Sequence, residues 1–279
     1  MLCKKLIYYF YLTKNFEKNR ANRINFKCLS RYAGVFDEAE IYLSLDDTDD
    51  YDLIRSAEKV FISMPFRGNI SFKVVKNTVY CESAIFKKEV VDKVDILDCL
   101  LFFAHAKGYT NLDTYPDRVE DLQKWIIGCY YLSLENVKEI ENSIGPSSTC
   151  SEFVYGSFPI VAGKKIQQSE FKDFNKIFPG EIKYNWFYSG CFFWINTEKL
   201  CNFINVFSPA IPKMANRYFG ERFFGNTFQY ERNATGFGSM YLYPCNFYNL
   251  GVVSDSLKFI LGDKINEFNN VYDEIVNSI

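Results

Sequence analysis

The residues best suited to chemistry stand where an apolar run stops. Leu100-Leu101-Phe102-Phe103-Ala104 leads directly into His105, Ala106, Lys107 and Gly108, and His105 is the only histidine among 279 residues. Such a run reads as a buried strand leaving a parallel sheet. Open α/β sheets bind ligands beyond the carboxyl ends of their strands, so chemistry is expected at this point. A second group is the acidic loop Asp46, Asp47, Asp49 and Asp50, whose carboxylates suit a hard cation such as Mg²⁺ or Ca²⁺. It lacks the glycine and distal glutamate of an EF-hand loop, and a solvated loop capping the next helix is the favoured reading. Asn77 and Glu82 can cap and orient a helix. The stretch from Trp186 to Trp194 crowds aromatic side chains around Ser189-Gly190. Read as one strand, it sets Trp186, Tyr188, Gly190 and Trp194 on one side, as a pocket wall or as core packing.

The elements that must position these groups follow from hydrophobic periodicity. Residues 4–12 and 41–45 read as strands, with helical spacing over 22–36 between them. A short helix over 51–58, a strand over 59–64, a loop over 65–69 and a short strand over 70–75 come next. A helix over 79–94 then precedes the strand 96–104. Strands alternating with helices imply parallel pairing and a doubly wound sheet. A long helix over 119–132 starts at Pro116 or Asp117, and a second covers 134–143. Beyond the loop 145–148 the pattern becomes irregular and aromatic, with strands over 153–155, 160–162, 184–195 and 240–244. Helices are expected over 197–207 and 213–224, and an amphipathic one over 263–278 closes the chain. The expected fold class is α/β: one domain, residues 1–279, with a mainly parallel twisted sheet flanked by helices and a more irregular aromatic-rich C-terminal half.

Composition narrows the functions. A net charge of −2 is unlike a basic nucleic-acid binder, so no nucleic-acid partner is expected. The 9 cysteines form no CxxC pair, which with a single histidine argues against zinc. The apolar run 6–12 is too short to span a bilayer and no cleavage site follows it, so a cytoplasmic protein with reduced thiols is expected. The first strand ends in Leu12-Thr13-Lys14-Asn15, without GxGxxG or Walker glycines, which disfavours dinucleotide oxidoreductases and P-loop kinases. Neither Gly156-Ser157 nor Ser189-Gly190 forms the nucleophile elbow of a serine hydrolase.

Taken in order, Phe103-Ala104-His105-Ala106-Lys107-Gly108, Trp125, the Trp186–Trp194 segment and Phe219-Gly220-Glu221-Arg222-Phe223 resemble the GT-A glycosyltransferases. The resemblance is to bacterial polysaccharide and surface-glycan transferases with an FxHxKG strand end, and it runs from Lys4 to about Asn226. It implies transfer of a hexose from a nucleotide-sugar donor to a glycan or lipid-linked acceptor, in polysaccharide biosynthesis, with peripheral contact at the membrane face. Residues 1–115 would then form the donor half and 116–279 the acceptor half. GT-A enzymes usually hold a divalent metal with Asp-x-Asp at this strand end, where this chain has His105-Ala106-Lys107. No cofactor is therefore expected, with Mn²⁺ or Mg²⁺ as the alternative. Lys107 would supply the positive charge that the departing diphosphate needs, and His105 a hydrogen bond to a phosphate or sugar oxygen. Asp46 or Asp47 would meet the base or ribose, with Asn77 and Glu82 also near the donor. Trp186, Tyr188, Ser189, Gly190 and Trp194 would face the sugar or acceptor, and Glu221 would be the general base. A non-catalytic carbohydrate-binding protein and a nucleotidyltransferase are the alternatives on the same fold.

Overall fold

The computed structural model describes residues 3–78, 99–106, 112, 116–135, 137, 154–156, 159–161, 186–188, 192–196, 234–236, 254, 257–258 and 261–279. β1 (Cys3–Tyr11) leads through a turn to α1 (Arg20–Tyr32), whose start is fixed by the Asn19 side chain accepting from the Asn22 N–H. Apolar residues at helical spacing, Ile24, Cys28, Leu29 and Tyr32, give α1 its buried face. β2 (Glu38–Leu45) follows, then α2 (Tyr51–Ile62), capped by Asp50. β3 (Ile70–Lys76) and β4 (Cys99–His105) complete the first group of strands.

β3, β2, β1 and β4 lie side by side in that order, and every neighbouring pair is parallel. β1 is flanked on one side by the strand that follows it and on the other by β4. The direction of strand addition therefore reverses between β1 and β4. That is the switch point at which doubly wound sheets bind ligands.

α3 (Val119–Leu134), preceded by one 3₁₀ turn at Pro116–Arg118, packs against α1. Short strands come next: β5 (Val154–Gly156), β6 (Pro159–Val161), β7 (Trp186–Tyr188), β8 (Phe193–Asn196) and β9 (Ala234–Gly236). β8 joins the sheet antiparallel to β4 and β5 joins antiparallel to β8, with β9 parallel beyond it. β6 and β7 form a separate antiparallel pair. α4 (Ile265–Asn277) closes the chain against α1 and α3, burying Phe268, Val271 and Ile275 at helical spacing.

Alternation gives the sheet two faces. Leu6, Tyr8 and Phe10 of β1 join Ile41, Leu43, Leu100 and Phe102 in a core with α1, α2 and α3. Phe61 of α2 meets Tyr8 and Phe10 edge-on, with ring centroids 5.9 and 5.6 Å apart. The opposite face carries Ile7, Tyr9, Glu40, Tyr42, Leu101, Phe103 and His105, all buried.

Two sequence expectations are corrected. Residues 59–64 are not a strand, because α2 continues through them to Ile62. Ile54, Ala57 and Phe61 are buried at a spacing of three and four, and this helical stripe overrides the short β-prone run. Residues 184–195 are not one strand either, since β7 and β8 belong to different sheets. Expected elements over 79–94, 197–207, 213–224 and 240–244 lie outside the described residues, as does all but residue 137 of the helix expected beyond 135.

Candidate functional site

The carboxyl ends of β1, β2, β3 and β4 share one edge, and their second-face residues form a polar row along it. β4 contributes His105, paired in register with Tyr9 of β1. The Tyr9 hydroxyl donates to Ser44 Oγ at 2.6 Å, with Asn77 Oδ1 3.4 Å away. The Asn77 amide nitrogen, Nδ2, donates to Asp46 Oδ1 at 3.0 Å, and the Tyr11 hydroxyl donates to Asp46 Oδ2 at 2.7 Å. Tyr9, Tyr11, Ser44, Asp46, Asn77 and His105 all fall on the same parity of their strands, so one face presents them together.

Backbone hydrogen bonds hold these positions. The Asn77 N–H donates to the Leu45 carbonyl at 2.7 Å and so extends the β2–β3 ladder one residue past β3. The Leu12 N–H donates to the Ser44 carbonyl at 2.8 Å, and the Ala106 N–H to the Tyr9 carbonyl at 3.1 Å. Asp46 is thus fixed from two strands while its carboxylate stays exposed. Hydrogen bonds from Asn77, and then Tyr11, hold its carboxyl below the ordinary range, so it is an anion at neutral pH. An acceptor-only group, oriented and exposed at the carboxyl edge of a parallel sheet, can receive N–H or O–H donors of a ligand.

The remaining carboxylates of the acidic loop do separate work. Asp47 Oδ1 accepts from the Asp49 N–H at 3.1 Å, and Asp50 caps α2 through the Leu53 N–H at 3.2 Å. Among the described residues no three His, Cys, Asp or Glu side chains gather as a metal site. The described end of β4 offers His105 and Ala106, with no carboxylate, and so does not fit a divalent ion held in the Asp-x-Asp manner.

His105 is 5% exposed, its ring 5.9 Å from that of Phe192. It is the last residue of β4, at the expected edge, with its side chain buried. Trp194 requires a correction. It is fully buried, stacked against Phe36 at 5.8 Å and tilted on Phe102 at 4.8 Å, and its indole Nε1 donates to the Ser133 carbonyl at 2.7 Å. A ring with no exposed surface cannot line a sugar pocket. Trp186 and Tyr188 belong to β7, in the other sheet. The side chains of Trp186 and Tyr188 lie outside the described set, as do Glu82, Lys107, Ser189, Gly190 and Glu221 altogether.

Three members of the row, Tyr9, Tyr11 and Ser44, went unread in the sequence. They alternate with Tyr8, Phe10, Leu43 and Leu45 in runs that look uniformly apolar. The available signal was parity: hydroxyl groups at 9 and 11, and at 44 next to Asp46, two residues apart at strand ends.

The fold class is α/β, with a four-stranded parallel sheet flanked by helices at its centre. No family model matches the chain, and no curated protein matches it. Solved structures similar to it include the core-mannan synthase A of Aspergillus fumigatus in a Mn/GDP form, at 9% identity and a TM-score of 0.42, covering 85% of this chain and 73% of that one. A 4-diphosphocytidyl-2C-methyl-D-erythritol synthase aligns at 8% identity and a TM-score of 0.39, covering 94% and 99%. Mouse xyloside xylosyltransferase 1, in its apo form, aligns at 12% identity and a TM-score of 0.37, covering 91% and 92%.

Proposed function

We propose that the chain is a glycosyltransferase that moves a hexose from a nucleotide-sugar donor to a glycan or lipid-linked acceptor. The observation that carries this reading is the Asp46 carboxylate, fixed by Tyr11 and Asn77 just past β2, on the same carboxyl edge as the β1/β4 switch point and one strand away from it. The nucleoside lies along that edge, and Asp46 accepts hydrogen bonds from its base or ribose. The FxHxKG likeness supplies the rest. In an inverting transfer Glu221 takes the acceptor hydroxyl's proton as the new bond to the anomeric carbon forms. The bond from that carbon to the diphosphate breaks, and the nucleoside diphosphate leaves against the positive charge of Lys107. His105 orients a phosphate or sugar oxygen, and Trp186 and Tyr188 face the acceptor. The enzyme takes no nucleic acid and works at a membrane face. No described helix is long and apolar enough to cross a membrane.

The test is a thermal-shift panel of nucleoside diphosphates and nucleotide sugars with and without Mn²⁺, followed by a donor-turnover assay. A specific ligand raises the unfolding midpoint, and the matching nucleotide sugar is consumed. Sugar binding without donor turnover would instead make the chain a carbohydrate-binding protein. No response to any nucleotide would overturn the reading.

A further inference from the structure

At the opposite edge of the sheet, β1 and β4 both begin with cysteine. Cys3 and Cys99 are partners in the parallel register, so they stand on adjacent strands and on the same face. Neighbouring strands run about 4.8 Å apart, and disulfides join residues whose Cα atoms are roughly 4.4–6.8 Å apart. Neither thiol is joined in a disulfide. Cys3 is half-buried and Cys99 is 6% exposed. The other described cysteines, Cys28 and Cys129, are fully buried between α1 and α3. Cys3 is therefore the described thiol that a small reagent can reach, and its register partner is a second thiol.

Burial and access set the order of events. Burial pushes the Cys99 thiol up, the Cys3 thiol and Glu38 add to this, and Lys5 opposes it. Cys99 is also the less accessible of the two, so a small disulfide meets Cys3 first and Cys99 is placed to resolve.

We infer that Cys3 and Cys99 form a reversible dithiol–disulfide pair, a site of oxidation by low-molecular-weight disulfides. The Cys3 thiolate attacks one sulfur of the small disulfide, forming a mixed disulfide and expelling one small thiolate. The Cys99 thiolate then attacks Cys3 Sγ, forming the Cys3–Cys99 bond and expelling the second. The two cysteine protons pass to the released thiolates, and two electrons pass from the cysteines to the small disulfide. The bond would pin β1 to β4 at the edge remote from Asp46, so it acts on stability and leaves the ligand edge intact.

Glutathione disulfide is the probe. The full chain is incubated with it, quenched with an alkylating agent, and examined by intact mass and peptide mapping, before and after dithiothreitol. The expected result is a chain that takes up two fewer alkyl groups than its reduced form, a Cys3–Cys99 cross-linked peptide, a higher unfolding midpoint and full reversal by reductant. Cys3→Ser should abolish all of these, and Cys99→Ala should leave a stable mixed disulfide on Cys3. Because Cys99 is buried and its variant can fail to fold, Cys3→Ser and the wild-type map are sufficient. A map in which both cysteines stay alkylated, in which Cys3 of the wild type stops at the mixed disulfide, or in which either pairs elsewhere would overturn the assignment. The outcome is independent of nucleotide binding, so it stands or falls apart from the proposed transferase activity.

Discussion

Asn77 Nδ2 lies 3.0 Å from Asp46 Oδ1, a hydrogen bond between residues 31 apart in sequence, one just past the end of β3 and the other just past β2. Parallel pairing of the two strands creates it, because Leu45 and Lys76 are register partners and the next residues follow in step. With Tyr11 on the other carboxylate oxygen, Asp46 is oriented before any ligand arrives. Preorganisation of this kind lowers the ordering cost of binding.

Asp46→Ala should weaken binding of the responsive nucleotide roughly tenfold or more, as expected for loss of a charged hydrogen-bonding partner. The unfolding midpoint should hardly move, because the carboxylate is exposed. Asp47→Ala should leave affinity near the parent value, since Asp47 is engaged within its own loop. Calorimetric titration of both variants separates the roles. Equal affinity for Asp46→Ala and parent would remove Asp46 from the site.

A second-face charge cluster predicts a pH-dependent stability. The Glu40 carboxylate accepts from Lys73 and from the Tyr42 hydroxyl, and Lys5 lies 3.3 Å from its other oxygen. Burial works to raise its pKa, but the hydrogen bonds from Lys73 and Tyr42 and the charges of both lysines outweigh it, and the net direction is down. Because folding lowers this pKa, the stabilisation is complete above the ordinary value of 4.5 and is lost as pH falls through the lower folded value. Glu40→Gln should therefore cost about 2 kcal/mol at neutral pH, with the gap to the parent closing below pH 4.5. Urea unfolding over a pH series measures it, and a gap independent of pH would refute the assignment.

Trp194→Ala should destabilise the fold by about 3–5 kcal/mol through the cavity it leaves. Trp194→Phe should cost less, about 1–3 kcal/mol, because the Ser133 carbonyl then loses its buried donor. Denaturant midpoints report both. Sugar or nucleotide affinity of the folded Trp194→Phe protein should match the parent, and a selective loss of affinity would mean that this ring reaches ligand after all.

Gly68→Ala tests the turn that leads into β3. A Cβ there would stand 1.9 Å from the Asp37 carbonyl oxygen, an approach that backbone must move to relieve. The expected cost is about 1–3 kcal/mol, in line with overpacking elsewhere. Gly34→Ala is the control, since its Cβ would sit 3.7 Å from the Pro65 carbonyl oxygen, an ordinary contact. Equal stability of the two variants would count against this tight turn.

Much of the first half was legible because its periodicities are strong. β1, α1, β2 and β4 stand within a few residues of where apolar spacing puts them, and α4 follows the closing amphipathic stretch. The strand expected over 59–64 failed because six apolar-rich residues satisfy both periods. Only the longer window from Ile54 to Phe61 favours the helix. In the aromatic second half the residue types promised strands but not their partners. Trp186 and Trp194 share a parity in sequence and yet occupy different sheets.

Residue order alone determined that β4 would be a buried strand ending at His105, since an unbroken apolar run has no other stable place in a chain of this composition. It also determined that the edge beyond that strand carries the chain's only imidazole. Tertiary structure alone decided which groups gather there. Tyr9, Ser44, Asn77, Asp46 and Tyr11 come from three strands, and no local pattern encodes a parallel register that depends on long-range pairing. The same register sets Cys3 beside Cys99, 96 positions away in sequence (99 − 3). Linear spacing sets the parity of a side chain, while the hydrogen-bonded ladder sets its neighbour.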